Sequence, residues 1–147
     1  MPLEFGFIRC SSCGALNRIS KEKLNSHIQC GSCKKDIAPY ASSLEASDAT
    51  FDREVLKWPG AVLLDFWTPT CGFCKQMMPI VQSIATEKAS LLKVVTMNAQ
   101  ANPSTAAQFR IQGVPAFYIF QNGRMINHLD GALPKHQFEN WIERSFG

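Results

Sequence analysis

The pattern of hydrophobic and polar residues changes near residue 38. Beyond this point, long apolar runs alternate with helix-like repeats, whereas closely spaced Cys, Gly, Ser and basic residues prevail before it. The change predicts two units: a small one over residues 1–38 and a packed α/β domain over residues 39–147.

Apolar runs in the second unit predict its strands. Residues 61–67 (AVLLDFW) are apolar except for one acidic residue, as expected of a central strand buried on both faces. Residues 92–98 and 115–120 predict two further strands, and Asn122-Gly123 predicts a hairpin to a strand over 124–129. We also expect a short strand near Leu44.

Helical spacing predicts the segments that connect these strands. Apolar residues recur at helical spacing over residues 49–58, 72–88 and from about 134 onward, and Pro103 opens a short helix that ends near 110. The order strand–helix–strand–helix–strand–strand–helix, after a first short strand and helix, is typical of an α/β fold.

The net charge of +3 belongs to the first unit. Residues 1–38 hold six basic and three acidic residues, and residues 39–147 hold nine of each. Four thiolates (−4) around one Zn²⁺ (+2) would contribute −2 and nearly cancel this excess. The charge therefore gives no support to a nucleic-acid partner.

The N-terminal residues show no targeting pattern. They lack a basic stretch followed by an apolar run and a small-residue cleavage site, and no apolar segment of the chain is long enough to span a bilayer. We therefore expect a cytoplasmic protein with no membrane partner, in a compartment that keeps thiols reduced.

All six cysteines occur in Cys-x-x-Cys pairs, and two of these pairs lie in the first unit. Cys10 and Cys13 are separated from Cys30 and Cys33 by sixteen residues, a spacing typical of a tetrahedral Cys₄ zinc site. Four protein ligands leave no open coordination position, so the pattern predicts one structural zinc ion per chain. Metal binding would supply much of the folding free energy of so short a unit.

Alternatives to this zinc site remain at the level of the sequence. The four cysteines could form two disulfides or include a second redox dithiol, and His27 could replace one ligand. We expect Gly14 and Gly31 to supply the backbone conformations that tight metal-binding turns need.

The third pair, Cys71 and Cys74, follows a predicted strand and begins a predicted helix. Unpaired N–H groups and the helix dipole at this position stabilise a thiolate. The pattern predicts that Cys71 attacks a disulfide in a partner and that Cys74 then resolves the mixed disulfide. Two inert helix cysteines, or half of another metal site, are the alternatives.

The chain resembles the thioredoxin family, in particular its thioredoxin 2 branch, in which a Cys₄ zinc ribbon precedes a thioredoxin domain. The resemblance extends over nearly the whole chain and rests on the four N-terminal cysteines and on residues 64–67 (LDFW), 71–75 (CGFCK), 113–115 (GVP), 122–123 (NG) and 131–132 (GA). It implies a thioredoxin fold, a central mixed β-sheet flanked by helices, with a small N-terminal zinc ribbon.

The resemblance also implies roles for residues near the dithiol. Asp65 would be a buried proton acceptor and donor beneath Cys74, and its pKa should be raised by the apolar strand around it. Pro115 would be a cis proline that presents the backbone of Val114 to an extended substrate. Alternatively, Asp65 could be a hydrogen-bonded acid of the core, and Pro115 could be an ordinary trans proline at the start of a strand. The implied substrate groove consists of Trp67, Thr70, Gly72, Phe73, Val114 and Gly131.

The implied activity is that of a protein-disulfide reductase. It would act on protein disulfides and be recharged by an NADPH-dependent thioredoxin reductase, without a bound organic cofactor. A disulfide isomerase or oxidant is the alternative within the same chemistry. A non-catalytic zinc-ribbon adaptor or holdase is the alternative outside it.

Three positions depart from the family pattern. Phe73 replaces the usual proline between the cysteines, which predicts a more oxidising dithiol. Thr70 replaces the usual tryptophan before Cys71. Thr96 stands where many members have a lysine, and the loss of that charge should raise the pKa of Asp65 further.

Overall fold

Two small antiparallel sheets form the first part of the computed structural model, which describes residues 3–147. Strand β1 (Phe5–Arg9) pairs with β2 (Leu16–Ser20), and β3 (Ile28–Gln29) pairs with β4 (Asp36–Ile37). A single 3₁₀ turn, Lys21–Lys23, lies between the two sheets. Our sequence analysis did not predict these short strands.

A five-stranded mixed sheet forms the centre of the second part. Its strands are β5 (Leu44–Glu45), β6 (Ala61–Trp67), β7 (Leu92–Asn98), β8 (Ala116–Gln121) and β9 (Arg124–Asp130), in the order β5-β7-β6-β8-β9. The first three are parallel, and β8 and β9 run antiparallel to their neighbours. The predicted mixed sheet is therefore confirmed.

Helices cover both faces of this sheet. Helices α1 (Gly72–Glu87) and α3 (Lys135–Ser145) pack on one face, and the helical segment that includes Asp52–Leu56 packs on the other. A short helix, α2 (Pro103–Gln108), follows β7. Alternate residues of β6 enter different core clusters: Leu63 packs with residues of α1 and α3, whereas Leu64 packs on the opposite face. Asp65 follows Leu64 and so points to the α1 side.

The helix predicted over residues 49–58 has an unexpected geometry, because Asp52–Leu56 forms a π-helical turn. The carbonyl oxygen of Glu54 accepts a hydrogen bond at 3.0 Å from Nζ of Lys93, a partner outside the helix. Side chains that bond a helix carbonyl in this way accompany local departures from α-helical geometry.

Lys93 forms a buried ion pair at the start of the sheet. Its side chain is only 4% exposed, and its Nζ lies 2.6 Å from Oε1 of Glu54. The same Nζ lies 3.5 Å from the centre of the Trp58 ring, a cation–π contact, and Arg9 contacts that ring at 5.7 Å. The pair thus lies beneath the first part of the chain.

The two parts are in direct contact at this end of the sheet. Ile8, Leu24 and Ile28 form a small apolar cluster that includes Tyr40 and Leu91 of the second part. The backbone N–H of Arg9 donates to Oη of Tyr40 at 2.8 Å. The division near residue 38 remains a prediction.

A glycine allows this close approach. A Cβ atom on Gly6 would lie 2.6 Å from the carbonyl oxygen of Ser90, so any larger residue would push the two parts of the chain away from each other.

None of the helices in residues 3–147 combines the length and apolar character that a membrane-spanning helix needs.

Candidate active site and metal centre

Cys71 and Cys74 are joined by a disulfide at the beginning of α1. Cys71 caps this helix, with an extended backbone (φ −85°, ψ 110°), and its Sγ accepts a hydrogen bond from the N–H of Cys74 at 3.0 Å. Cys71 is partly exposed, whereas Cys74 is only 7% exposed. A partner molecule can therefore reach the first sulfur but not the second.

The peptide bond between Val114 and Pro115 is cis and lies beside the dithiol. Sγ of Cys71 is 3.6 Å from the carbonyl oxygen of Val114. The carbonyl oxygen of Pro115 accepts from the N–H of Gly131 at 2.9 Å, which ties this loop to the end of β9. The carbonyl oxygen of Val114 is thus held next to the more accessible sulfur of the pair.

The predicted groove residues fall into three places. Val114 and Gly131 line an open groove of about 630 Å³ beside Pro115. Thr70, Gly72 and Phe73 lie exposed at the rim around Cys71, and the side chain of Phe73 is 62% exposed. Trp67 lies elsewhere: it lines the cavity beside Asp65, because it shares the face of β6 to which Asp65 belongs.

Asp65 is the buried carboxyl group next to the dithiol. It is 8% exposed, and its Oδ1 has no hydrogen-bond partner among the described residues. Together with Cys74 it lines a cavity of about 210 Å³. Burial, assisted by the negative charge of Glu45, raises the pKa of Asp65 to about 7.

Glu45 is a site residue that our sequence analysis missed. Its carboxylate accepts hydrogen bonds from Trp67 Nε1 at 3.3 Å and from the N–H of Asn98 at 3.1 Å, and also bonds Thr96 Oγ1. Glu45 lies on a strand of two residues, too short for a recognisable pattern. Only strand pairing brings it to the site.

The sulfurs of Cys10, Cys13, Cys30 and Cys33 form one cluster. All four lie within 4.8 Å of one another, and the pairs 10/33 and 13/30 are each 3.6 Å apart. A tetrahedral zinc ion with bonds of about 2.3 Å would separate its sulfur ligands by about 3.8 Å. The arrangement thus fits a Cys₄ zinc site.

Asn17, also missed by our sequence analysis, connects the two metal-binding turns. Its side-chain amide donates to Sγ of Cys30 at 3.5 Å and to the carbonyl oxygen of Ala15 at 3.3 Å. Its Oδ1 accepts from the N–H of Gly31 at 2.8 Å. Such bonds orient thiolate ligands around a metal.

One expectation about these turns needs correction. Gly14 has φ +80°, as expected, but in the second turn the left-handed residue is Lys34 (φ +67°) and not Gly31. The equivalent positions directly follow Cys13 and Cys33, so the two turns share one conformation. His27, considered as an alternative ligand, is an exposed residue whose Nε2 lies 2.8 Å from a carboxylate oxygen of Asp36.

Both parts of the chain match known protein families. Residues 42–144 match the family described as Thioredoxin, and residues 9–35 match the family described as Thioredoxin 2, N-terminal. The chain belongs to the thioredoxin family. It is therefore a thiol–disulfide oxidoreductase, and the two matches together agree with the thioredoxin 2 branch.

Similar thioredoxins come from diverse organisms. The chain is 40% identical over 98 residues to thioredoxin 1 of Synechococcus elongatus, which covers 67% of this chain and 92% of that protein. It is 39% identical over 101 residues to thioredoxin of Haemophilus influenzae, covering 69% and 94%. The thioredoxin of Porphyra purpurea is 38% identical over 100 residues, covering 68% and 94%.

The pKa of Asp65 makes a prediction about stability. In the unfolded chain an aspartate has a pKa near 4, so the folded protein, with a value of about 7, holds its proton more tightly. As pH rises from about 4 to 7, the unfolded state loses this proton first, and the free energy of unfolding falls by up to about 4 kcal/mol.

We therefore expect Asp65→Asn to stabilise the oxidised protein at pH 8 by up to about 4 kcal/mol, with the gain shrinking as pH falls below about 7 and vanishing near pH 4. Denaturant unfolding of both proteins across this pH range would measure it. A difference that does not change with pH would contradict the assigned pKa.

Proposed function

We propose that this thioredoxin-family protein reduces disulfide bonds in other proteins through the Cys71–Cys74 dithiol. The observation that carries the proposal is the unequal position of the two sulfurs. Cys71 is accessible at a helix N-terminus, which stabilises its thiolate, and Cys74 is buried next to the carboxyl group of Asp65.

The reaction would proceed in two substitutions. The Cys71 thiolate attacks one sulfur of a substrate disulfide, a Cys71–substrate disulfide forms, and the other substrate sulfur leaves as a thiolate that takes a proton from water. Cys74 then gives its thiol proton to ionised Asp65 and attacks the Cys71 sulfur. The Cys71–Cys74 bond forms, and the second substrate thiolate leaves. The dithiol is oxidised by two electrons and the substrate disulfide is reduced.

Backbone groups beside the dithiol would hold the substrate. The carbonyl oxygen of Val114 lies 3.6 Å from Sγ of Cys71, and the backbone of Val114 would pair with an extended substrate segment as an added strand would. Exposed Phe73 adds apolar contact area at the rim. Regeneration of the dithiol requires two electrons, which we assign to an NADPH-dependent thioredoxin reductase on the family resemblance.

The Cys₄ cluster would hold one structural zinc ion per chain. Support comes from the sulfur separations and from the match to the ribbon family. The cluster lies at the opposite end of the sheet from the dithiol, and the seven residues of β6 alone extend roughly 20 Å. Zinc would stabilise the first unit and take no direct part in the disulfide reaction.

Insulin reduction tests the proposed activity. Wild-type protein with a thioredoxin reductase and NADPH should reduce insulin disulfides, whereas Cys71→Ser should be inactive because no thiolate attacks the substrate. Cys74→Ser should accumulate a covalent adduct with its substrate, visible by mass spectrometry. An inactive wild-type protein with reduced Cys71 and Cys74 would favour the adaptor alternative.

Metal analysis tests the zinc assignment. Protein purified under reducing conditions should contain one zinc ion per chain, and Cys33→Ser should lose it. Removal of zinc should increase amide exchange in residues 5–37 much more than in β6 and β7, because the metal supplies folding free energy only to the first unit. Two disulfides among these cysteines, with no bound metal, would contradict the assignment.

Phe73, one of the two residues between the cysteines, favours a second candidate function, that of a disulfide isomerase or oxidant. Phe73 is the second residue of α1 and keeps a backbone N–H that a proline would lack. This N–H adds to the positive end of the helix that stabilises the Cys71 thiolate, so it favours the reduced form.

We therefore expect Phe73→Pro to lower the reduction potential measured against glutathione. Phe73→Ala serves as the control, because it removes the ring but keeps the N–H, and its potential should stay near that of the wild type. An unchanged potential in Phe73→Pro would leave Phe73 as a substrate contact only.

A further inference from the structure

Three polar residues form a row across neighbouring strands beside the dithiol. Strand pairing places Glu45 of β5 opposite Thr96 of β7, and Thr96 opposite Asp65 of β6. Residues paired in this way lie on the same face of a sheet. The row therefore runs from the buried carboxyl group of Asp65 to the edge of the sheet.

Glu45 is exposed but firmly held at the outer end of this row. Its Oε1 accepts hydrogen bonds from Thr96 Oγ1 and from Trp67 Nε1, the latter at 3.3 Å. Its Oε2 accepts from the N–H of Asn98 at 3.1 Å. Three donors from two strands thus fix the position of one negative charge, whereas an ordinary surface glutamate would move freely.

A cavity connects Glu45 to the reacting sulfur. Its volume is about 210 Å³, and Glu45, Asp65, Thr96 and Cys74 all line it. A water molecule occupies about 30 Å³ of liquid, so this space can hold several. Oδ1 of Asp65, which lacks a partner among the described residues, provides the polar group that water inside the cavity would bind.

Few charged groups face Asp65. Glu45 approaches from β5 and Lys75 from α1, where Cys74 is the other titratable group, while Thr96 on β7 and Phe117 on β8 are neutral. The negative charge of Glu45 adds to the effect of burial, and both raise the pKa of Asp65. Thr96, which lies between Glu45 and Asp65 in the sheet, is neutral and so adds no positive charge between their carboxyl groups.

We propose that Glu45 is a positioning residue of the thiol–disulfide reaction, which acts on the dithiol through Thr96, the cavity and Asp65. By keeping a fixed negative charge at the mouth of the cavity, Glu45 makes Asp65 a stronger base toward the thiol of Cys74. A proton acceptor works best when its pKa lies near the working pH. The inference rests on the proposed role of Asp65 in the resolving step.

Carboxyl-carbon NMR of the oxidised protein tests this electrostatic effect. Glu45→Gln keeps the shape and the hydrogen-bonding oxygen but removes the charge, so the titration midpoint of Asp65 should fall by about one pH unit. Glu22→Gln, which makes the same charge change on an exposed residue of the 3₁₀ turn, is the matched control and should leave the midpoint unchanged. An unshifted midpoint in Glu45→Gln overturns the inference.

Kinetics provide a second readout that a merely structural role would not change. The rate of mixed-disulfide resolution, followed by stopped flow against pH, should have its lower inflection moved down in Glu45→Gln by the same amount as the NMR midpoint. Glu45→Asp retains the charge, so its inflection should lie close to the wild-type pH. Loss of rate at every pH without a moved inflection would mean that Glu45 only supports the fold.

The proposed role of Asp65 can fail separately. If Asp65→Asn leaves the pH profile of resolution unchanged, Asp65 is not the proton acceptor, and the inference fails with it. If Asp65→Asn abolishes the inflection but Glu45→Gln does not move it, the role of Asp65 stands and only the role of Glu45 is rejected.

Discussion

The burial of β6 on every side is the constraint on which the rest of this structure depends. It pairs with β7 and β8, and helices cover both of its faces, so nearly all of its side chains are excluded from water. A carboxyl group on such a strand must either be paired or shift its pKa upward. Asp65 does the latter: its position within β6 raises its pKa, and it lines the same cavity as Cys74.

Local sequence patterns predict most of the strands in the second part of the fold. The apolar runs predict β6 and β7 with the bounds that the structure shows, and Asn122-Gly123 predicts the hairpin because both residues adopt positive φ. The dithiol, Asp65 and Pro115 stand within or directly beside these strong elements, so their positions relative to the fold could be anticipated.

Other features depend on partners that are distant in sequence. In the π-helical turn, Glu54 bonds Lys93, which lies thirty-nine residues later in the chain, and no local spacing records that contact. Asn17 and Glu45 lie on short strands whose alternation is too brief to recognise. Their importance comes from the pairing of strands and from the folding of one metal-binding turn against the other, which only three-dimensional structure reveals.

The close contact at Gly6 has a consequence for any attempt to separate the two parts. Because β1 approaches residue 90 so closely, the first unit shields Tyr40 and Leu91 and lies over Trp58 and the buried Lys93–Glu54 pair. A chain shortened to the second unit would expose this apolar surface together with a charge pair adapted to a dry environment. The first unit thus covers apolar surface of the second unit, and truncated versions would need a redesigned surface at this end of the sheet.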